Sequence, residues 1–125
     1  NKSCLIVGDD LFVSNASILK NGIEQKAGNS AILKVNQVGS LGDAMDFANL
    51  CNQNNYGIIA SHRSGDTVDN HLAHIAIGLG ASMMKSGVVG GERIAKLNEL
   101  IRIDETNFIN NDMSLPIARI KKYVN

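Results

Sequence analysis

The sequence predicts an α/β fold in which parallel β-strands alternate with α-helices. Four short apolar runs end abruptly in polar residues, and a segment with helical periodicity follows each one; the runs read CLIVG, SAIL, YGIIA and ASMM. A continuous apolar run is typical of a parallel strand that is buried on both faces. The runs recur roughly two dozen residues apart, which is enough for a helical crossover between parallel strands. The expected architecture is therefore a series of four βα units.

Polar residues and a glycine indicate where the elements of the first βα unit begin and end. Residues 3–7 are expected to form a strand, and Ser14 or Asn15 can cap the helix that comes next, since either side chain can accept a hydrogen bond from a free helix N–H. Gly28 stands where a glycine commonly ends a helix. Residues 30–35 are then expected to form the second strand.

The second helix is expected to begin at Ser40, because Asp43 three residues later makes a weak capping box. Helical spacing assigns four residues to its buried face: Ala44, Phe47, Ala48 and Cys51. Residues 56–61 are expected to form the third strand, and residues 68–79 the third helix. The core positions of that helix are expected to be Leu72, Ile75, Ala76 and Leu79.

The fourth unit combines a strand at 82–85, a glycine-containing loop and a helix at about 92–101. The spacing predicts that this helix is buried through Ile94, Leu97, Leu100 and Ile101. We assign residues 1–105 to one domain of four βα units and residues 106–125 to a polar C-terminal tail. In the tail, a short helix could present an apolar stripe of Ile117, Ile120 and Val124.

The composition excludes several classes of protein. The formal net charge is zero and no basic stripe with interleaved aromatic residues occurs, which argues against nucleic acid as the main partner. The longest apolar runs fall far short of the roughly 20 residues that a membrane span needs. Cys4 and Cys51 show neither metal-ligand nor redox spacing, so we expect reduced thiols and a cytoplasmic location. Because residue 1 is Asn1, we expect a processed or trimmed beginning.

Chemically capable side chains follow every predicted strand. Asp9 and Asp10 follow the first strand, Lys34 the second, the segment 61–64 the third, and Lys85 the fourth. Because the carboxyl ends of parallel strands meet at one rim, we expect these residues to share a site. Two lysines on one rim require anions, and a substrate with a phosphate and a carboxylate would supply them.

The side chains on this rim suit distinct chemical roles. Arg63 offers a planar fork for phosphate, and Ser64 adds a hydroxyl. Burial disfavours the charged form of Lys34, which would prepare it as a general base. Adjacent residues point in opposite directions at a strand end, so at most one of Asp9 and Asp10 faces the site, where it could bind a hard cation such as Mg²⁺.

The same residues could also have purely structural roles. The segment 61–67 would also suit a surface turn with a solvated arginine, and Asp9 and Asp10 a solvated turn. Lys34 could pair with a carboxylate for structural reasons alone. His71 and His74 have the i, i+3 spacing of a metal-ligand pair, but no third ligand accompanies them, so an exposed helix face is favoured.

Five motifs resemble, in order and spacing, the C-terminal part of the enolase family: VGDDLFVSN, LKVNQVGSLGDA, SHRSGDTVDN, MMKSG and GERIAKLNELIRI. The resemblance covers about residues 5–103 and implies the last four βα units of a TIM-like barrel. It also implies interconversion of 2-phosphoglycerate with phosphoenolpyruvate and water, with Mg²⁺, in glycolysis and gluconeogenesis. Departures from the family's usual residues occur at Asp66, Val68, Ser86, Gly90 and Gly91.

The resemblance implies a role for each rim residue. Asp9 would be a metal ligand, Lys34 the base that removes the C2 proton, and His62 a catalytic neighbour of the substrate. Arg63 and Ser64 would hold the phosphate and Lys85 the carboxylate, and Ser61 completes the expected substrate-binding set.

An enolase also has an N-terminal domain and earlier barrel strands that carry further metal carboxylates and a catalytic acid. We therefore expect a half-barrel that requires the missing N-terminal half for activity. Its open sheet edges favour pairing with that half, or with a second copy in an oligomer. The alternative is a non-catalytic half-barrel that binds phosphorylated ligands or a protein partner. Retention of Lys34, His62, Arg63 and Lys85 favours the catalytic interpretation.

Overall fold

The computed structural model describes residues 4–110, and its centre is one sheet of four parallel strands in the order β1-β2-β3-β4. The strands are β1 (Val7–Gly8), β2 (Ser30–Leu33), β3 (Gly57–Ser61) and β4 (Met83–Lys85). The described helices are α1 (Ala16–Glu24), α2 (Val35–Val38), α3 (Leu41–Gln53), α4 (His71–Gly78) and α5 (Gly91–Asn110). The predicted α/β class and its four βα units are confirmed.

The two central strands fix the faces of the sheet. Ala31 pairs with Ile58 and Leu33 with Ala60, and all four side chains belong to the core that the helices cover. The intervening Ile32 pairs with Ile59, and alternation along a strand directs both to the opposite face. The sheet thus has a helix-covered face and a second apolar face.

The predicted buried face of α3 is confirmed, because Ala44, Phe47, Ala48 and Cys51 are all at most 1% exposed. The predicted cap is also present: the Ser40 hydroxyl oxygen accepts a hydrogen bond from the Asp43 N–H at 3.1 Å. Burial raises the pKa of the Cys51 thiol to about 12, so this side chain is a protonated core residue at neutral pH.

The first half of the chain departs from the prediction at element ends. Asn15 is the cap of α1, and its side-chain oxygen accepts from the Ile18 N–H at 3.1 Å. Helix α1 ends at Glu24 rather than near Gly28, and Lys26 has a φ of 56°, which is incompatible with continued helix. The short helix α2 was not predicted; it ends at Gly39, whose φ of 95° suits glycine.

Helices α4 and α5 also differ. Helix α4 begins at His71 rather than near residue 68, and α5 extends past residue 101 to Asn110. The predicted buried face of α5 is wrong, because Ile94 is 41% exposed and Ile101 is 57% exposed.

Two charged residues, Lys96 and Glu99, take the buried positions of α5. The reason is that both find polar partners on α4 and the loop before it, so the face of α5 that meets α4 is polar.

The tail stripe predicted beyond residue 110 lies outside the described residues, and the domain boundary at residue 105 stays a prediction. Among residues 4–110, no helix has the length and apolar character needed to cross a membrane.

Phe12 anchors the turn after β1. Its ring is 1% exposed and packs edge-on against Tyr56 at a centroid distance of 6.4 Å. Gly8 and Gly22 leave the space for this ring, since a Cβ at either position would overlap it. The Phe12 N–H donates to Asp9 O at 3.0 Å, so the buried ring also fixes the backbone at Asp9.

We therefore predict that Gly22→Ala destabilises the chain, although alanine is the better helix former. Overpacking against Phe12 typically costs about 1–3 kcal/mol. This outweighs the gain of up to about 1 kcal/mol from helix propensity. Urea unfolding followed by circular dichroism measures the change.

The matched control is Gly42→Ala in α3, where the only atom within 4 Å of an added Cβ is the Ser40 hydroxyl oxygen at 3.8 Å. This variant should gain about 0.4–1 kcal/mol, because alanine reduces the entropy of the unfolded chain. A higher unfolding midpoint for Gly22→Ala than for the unsubstituted chain would contradict the packing argument at Phe12.

A polar cluster joins α4 to α5. The buried carboxylate of Glu99 accepts from Arg102 at 2.5 Å and lies 2.7 Å from His74 Nε2. The hydrogen bond from Arg102 is the largest factor that lowers the pKa of Glu99, from 4.5 to about 2.

Because the folded-state pKa of Glu99 is depressed, its stabilising contribution is present above pH 4.5 and is lost as the pH falls toward 2. We predict that Glu99→Gln reduces stability at pH 7 and weakens the acid-induced loss of stability in that window. Unfolding midpoints measured between pH 7 and pH 2 test this, and Glu24→Gln serves as an exposed control in α1. The prediction fails if both variants show the same pH profile.

Candidate functional site

The carboxyl ends of the four strands meet at one rim, as the sequence predicted. Lys34 Nζ forms an ion pair with Asp9 Oδ1, and Lys85 Nζ lies 3.9 Å from Asp9 Oδ2. The Ser61 hydroxyl lies 3.2 Å from the carbonyl oxygen of Lys85. Direct polar contacts thus join the ends of all four strands: Asp9 follows β1, Lys34 follows β2, Ser61 ends β3 and Lys85 ends β4.

Lys34 is held at this rim by its backbone as well as its charge. Its side chain is 12% exposed, and its N–H donates to the buried Ser14 hydroxyl at 2.9 Å. The same hydroxyl lies 3.3 Å from Ile32 O and 3.2 Å from Gln37 Oε1. Ser14, a candidate helix cap in the sequence, instead connects the start of α1 to the end of β2.

A cavity of about 290 Å³ opens beside these contacts. It is lined by Lys34, Ser61, His62, Arg63, Ser64, Lys85 and Arg93. The lining contains two lysines, two arginines and no carboxylate, so the cavity favours an anion. Every residue expected in catalysis or substrate binding is therefore brought to one cavity.

Arg63 and His62 differ in how their polar atoms are used. Arg63 Nη1 donates to the carbonyl oxygen of Asn36 at 3.1 Å, which ties the segment after β3 to α2. His62 Nδ1 is buried and has no hydrogen-bond partner among residues 4–110. A ligand in the cavity could satisfy such an atom, since buried polar groups are normally paired.

Arg93 was missed in the sequence analysis. It lies in the first turn of α5, and its side chain packs beside Gly87, where an added Cβ would stand 3.1 Å from Arg93 Cδ. Gly87 also has a φ of 83°. An arginine in a first helical turn after a glycine-containing loop was the available signal, because this position presents a cation beside a helix N-terminus.

The aspartates at the end of β1 have distinct positions. Asp9 faces the two lysines, whereas the Asp10 side chain is 90% exposed and its Oδ1 lies 3.8 Å from Lys34 Nζ. This confirms that one of the pair faces the site. Asp9 Oδ1 is buried against Lys34 Nζ, and its carboxylate is the kind of oxygen donor that a hard cation prefers.

Asp9 alone does not complete a metal site. Within residues 4–110, no three His, Cys, Asp or Glu side chains are grouped as a metal site requires. His71 Nδ1 lies 3.2 Å from Asp69 and His74 Nε2 lies 2.7 Å from Glu99, so the two histidines have separate partners on an exposed helix face. A hydrogen bond from Thr67 is the main cause that lowers the pKa of Asp69.

We predict that Ser14→Ala destabilises the chain by about 1–3 kcal/mol, because it leaves the Lys34 N–H without its buried acceptor. Chemical denaturation measures the loss. Ser17→Ala is the matched control, since Ser17 is exposed in α1 and alanine there is favoured by helix propensity. Equal stabilities for the two variants would mean that the hydrogen bonds of the Ser14 hydroxyl make no net contribution to the free energy of unfolding.

Comparison with known proteins identifies the family to which the chain is similar. A family model described as "Enolase, C-terminal TIM barrel domain" matches residues 1–113. A protein named Enolase from Methanosphaera stadtmanae is 56% identical over 104 residues, which is 83% of this chain and 25% of that protein.

Two further curated relatives show the same pattern. Enolase from Methanothermobacter thermautotrophicus is 53% identical over 102 residues, or 82% of this chain and 24% of the relative. Enolase from Methanocorpusculum labreanum is 55% identical over 104 residues, or 83% of this chain and 26% of the relative. The chain therefore spans about a quarter of the length of the curated relatives it matches.

Proposed function

The chain belongs to the enolase family as a segment of its C-terminal TIM barrel domain, and we propose that it supplies the substrate-binding rim of a phosphopyruvate hydratase. The reaction would be the interconversion of 2-phosphoglycerate with phosphoenolpyruvate and water. The observation that carries the proposal is the basic cavity with Lys34 and Asp9 at its edge. A substrate with a phosphate and a carboxylate matches the charge of that cavity.

We take the proposed substrate contacts from the family resemblance, and the charge of the cavity lining supports them. The guanidinium of Arg63 and the hydroxyl of Ser64 are proposed to bind the phosphate, because an arginine fork can contact two phosphate oxygens at once. The ammonium of Lys85, which also lines the cavity, would pair with the carboxylate. The Ser61 hydroxyl lies 2.9 Å from His62 O and 3.2 Å from Lys85 O, so it can donate to either carbonyl oxygen.

Lys34 is proposed as the base that accepts the C2 proton. Its neutral amine would take the proton, and the carboxylate of Asp9 stabilises the ammonium that results. The electron pair of the C2–H bond then forms the C2–C3 double bond as hydroxide leaves C3. The acid that protonates this hydroxide would come from outside residues 4–110, and His62 would contact the substrate beside the phosphate.

Asp9 is the residue that would hold Mg²⁺, with further carboxylates supplied by the rest of the protein. When bound, Mg²⁺ neutralises negative charge that develops on the substrate carboxylate. We therefore propose that activity requires a partner or preceding segment that carries the remaining enolase residues. Exposed apolar residues flank the edge strand β1, with Ile6 before it and Leu11 after it each 60% exposed, and they support a covering partner along this edge.

A segment exchange tests the proposal. The 104 matching residues of the Methanosphaera stadtmanae enolase would be replaced by those of this chain, and turnover of 2-phosphoglycerate would be measured. We predict activity in the exchanged protein and a loss of about 10²- to 10⁴-fold in kcat for Lys34→Ala, because a general base is removed. Arg63→Lys should raise KM instead, since the charge stays but the fork is lost.

Lys20→Ala provides the control, because this lysine is exposed in α1. Exchange of the C2 hydrogen with solvent at an undiminished rate in Lys34→Ala would exclude Lys34 as the base. A correctly folded exchange protein that binds phosphate without turnover would instead support the alternative, a non-catalytic half-barrel for phosphorylated ligands.

A further inference from the structure

The loop between β3 and α4, residues 62–70, carries the proposed phosphate-binding side chains, and its own hydrogen bonds include Thr67 Oγ1 to Asp69 and two through Asp66. We call it the anion loop. The Asp66 N–H donates to Arg63 O at 3.2 Å, and the Thr67 N–H donates to Asp66 Oδ1 at 2.8 Å. Backbone carbonyls in such a loop require partners from elsewhere if they are buried.

Lys96 on α5 supplies those partners. Its side chain is 1% exposed, and Nζ donates to Thr67 O at 2.8 Å and to Asp69 O at 2.9 Å. The third donor goes to Glu92 O on the same helix at 2.8 Å. An ammonium has three N–H groups, so all of them are used. The carboxylate of Asp66 lies 3.9 Å from Nζ and compensates the buried charge.

We propose that Lys96 is a positioning residue for anion binding. It fixes the carbonyls of Thr67 and Asp69 against α5, and the bond from the Asp66 N–H to Arg63 O extends this constraint to Arg63. The identity of the anion rests on the function proposed above, whereas the constraint on the loop does not. Arg63 is also tied to α2 through its bond to Asn36 O, so this bond and Lys96 together would keep Arg63 and Ser64 at the cavity.

A neighbouring cavity makes the inference testable by chemical rescue. It has a volume of about 290 Å³, and its lining includes Lys96, Asp66 and Asp69. Truncation of Lys96 to alanine would join the space of the lysine side chain to this cavity. n-Propylammonium has the same three carbons and ammonium group as the part removed, so it can restore the three donors.

The experiment uses the full chain labelled with ¹⁵N and ¹³C. The ¹³C′ shifts of Thr67 and Asp69 report the bonds to Lys96 without any ligand. Titration with inorganic phosphate, followed at the Ser64 and Gly65 amides, reports the affinity of the site. Hydrogen exchange in β2 and β3 separates a local effect from general loss of structure.

For Lys96→Ala we expect the two ¹³C′ shifts to move upfield and phosphate affinity to fall by about 10- to 100-fold, the range found when groups that orient binding residues are removed. n-Propylammonium should restore both readouts, and tetramethylammonium, which has no N–H donor, should restore neither. Lys96→Met keeps most of the side-chain volume and should show the same defects without rescue. Lys20→Ala should leave both readouts unchanged.

Unchanged ¹³C′ shifts at Thr67 and Asp69 in both Lys96 variants would overturn the inference. It would also be overturned by weaker phosphate binding that propylammonium does not restore and that accompanies faster exchange throughout β2 and β3. If the unsubstituted chain shows no phosphate-dependent shifts at Ser64, the proposed phosphate site fails, and the ¹³C′ shifts still decide the role of Lys96 in the loop.

Discussion

The parallel register of the sheet is the constraint on which the site depends. Ser30 pairs with Gly57 and Ser61 with Lys85, so each strand reaches the same rim within a residue or two. A slip of one residue would turn every side chain of a strand to the other face. Ile32 and Ile59 would then meet the helices, and Lys34 would no longer point toward Asp9. The buried apolar contacts of β2 and β3 thereby specify the chemistry of the rim.

The charges at the rim do not balance within the described residues. Asp9 faces Lys34 and Lys85, Asp10 lies 3.8 Å from Lys34, and Glu92 lies 3.6 Å from Arg93, while Arg63 has no carboxylate beside it among the described residues. An anion reduces the repulsion among these cations, so the cavity favours an anionic ligand over a neutral one. Two ammonium groups beside Asp9 would compete with any cation for its carboxylate oxygens.

Apolar patterning predicted the fold well because the buried strands and α3 are apolar where they pack. The four βα units, the core face of α3 and the shared rim all follow from it. Helix α2 was missed because four residues are too few to show a helical period. The face of α5 was predicted wrongly because hydrophobicity carries no signal for Lys96, whose burial depends on carbonyls 27 and 29 residues away in sequence. Long side chains that are fully hydrogen-bonded are invisible to such patterns.

The two faces of α5 separate what this segment holds by itself from what the rest of an enolase would add. Toward α4 the helix makes polar contacts through Lys96 and Glu99, and each of these needs a particular partner at a particular distance. Away from α4 it exposes Ile94 and Ile101, which need only an apolar surface. Directional contacts fix geometry more closely than apolar burial does. The position of the anion loop is therefore set inside this segment, whereas the stability of the rim and its metal ligands would be completed from outside it.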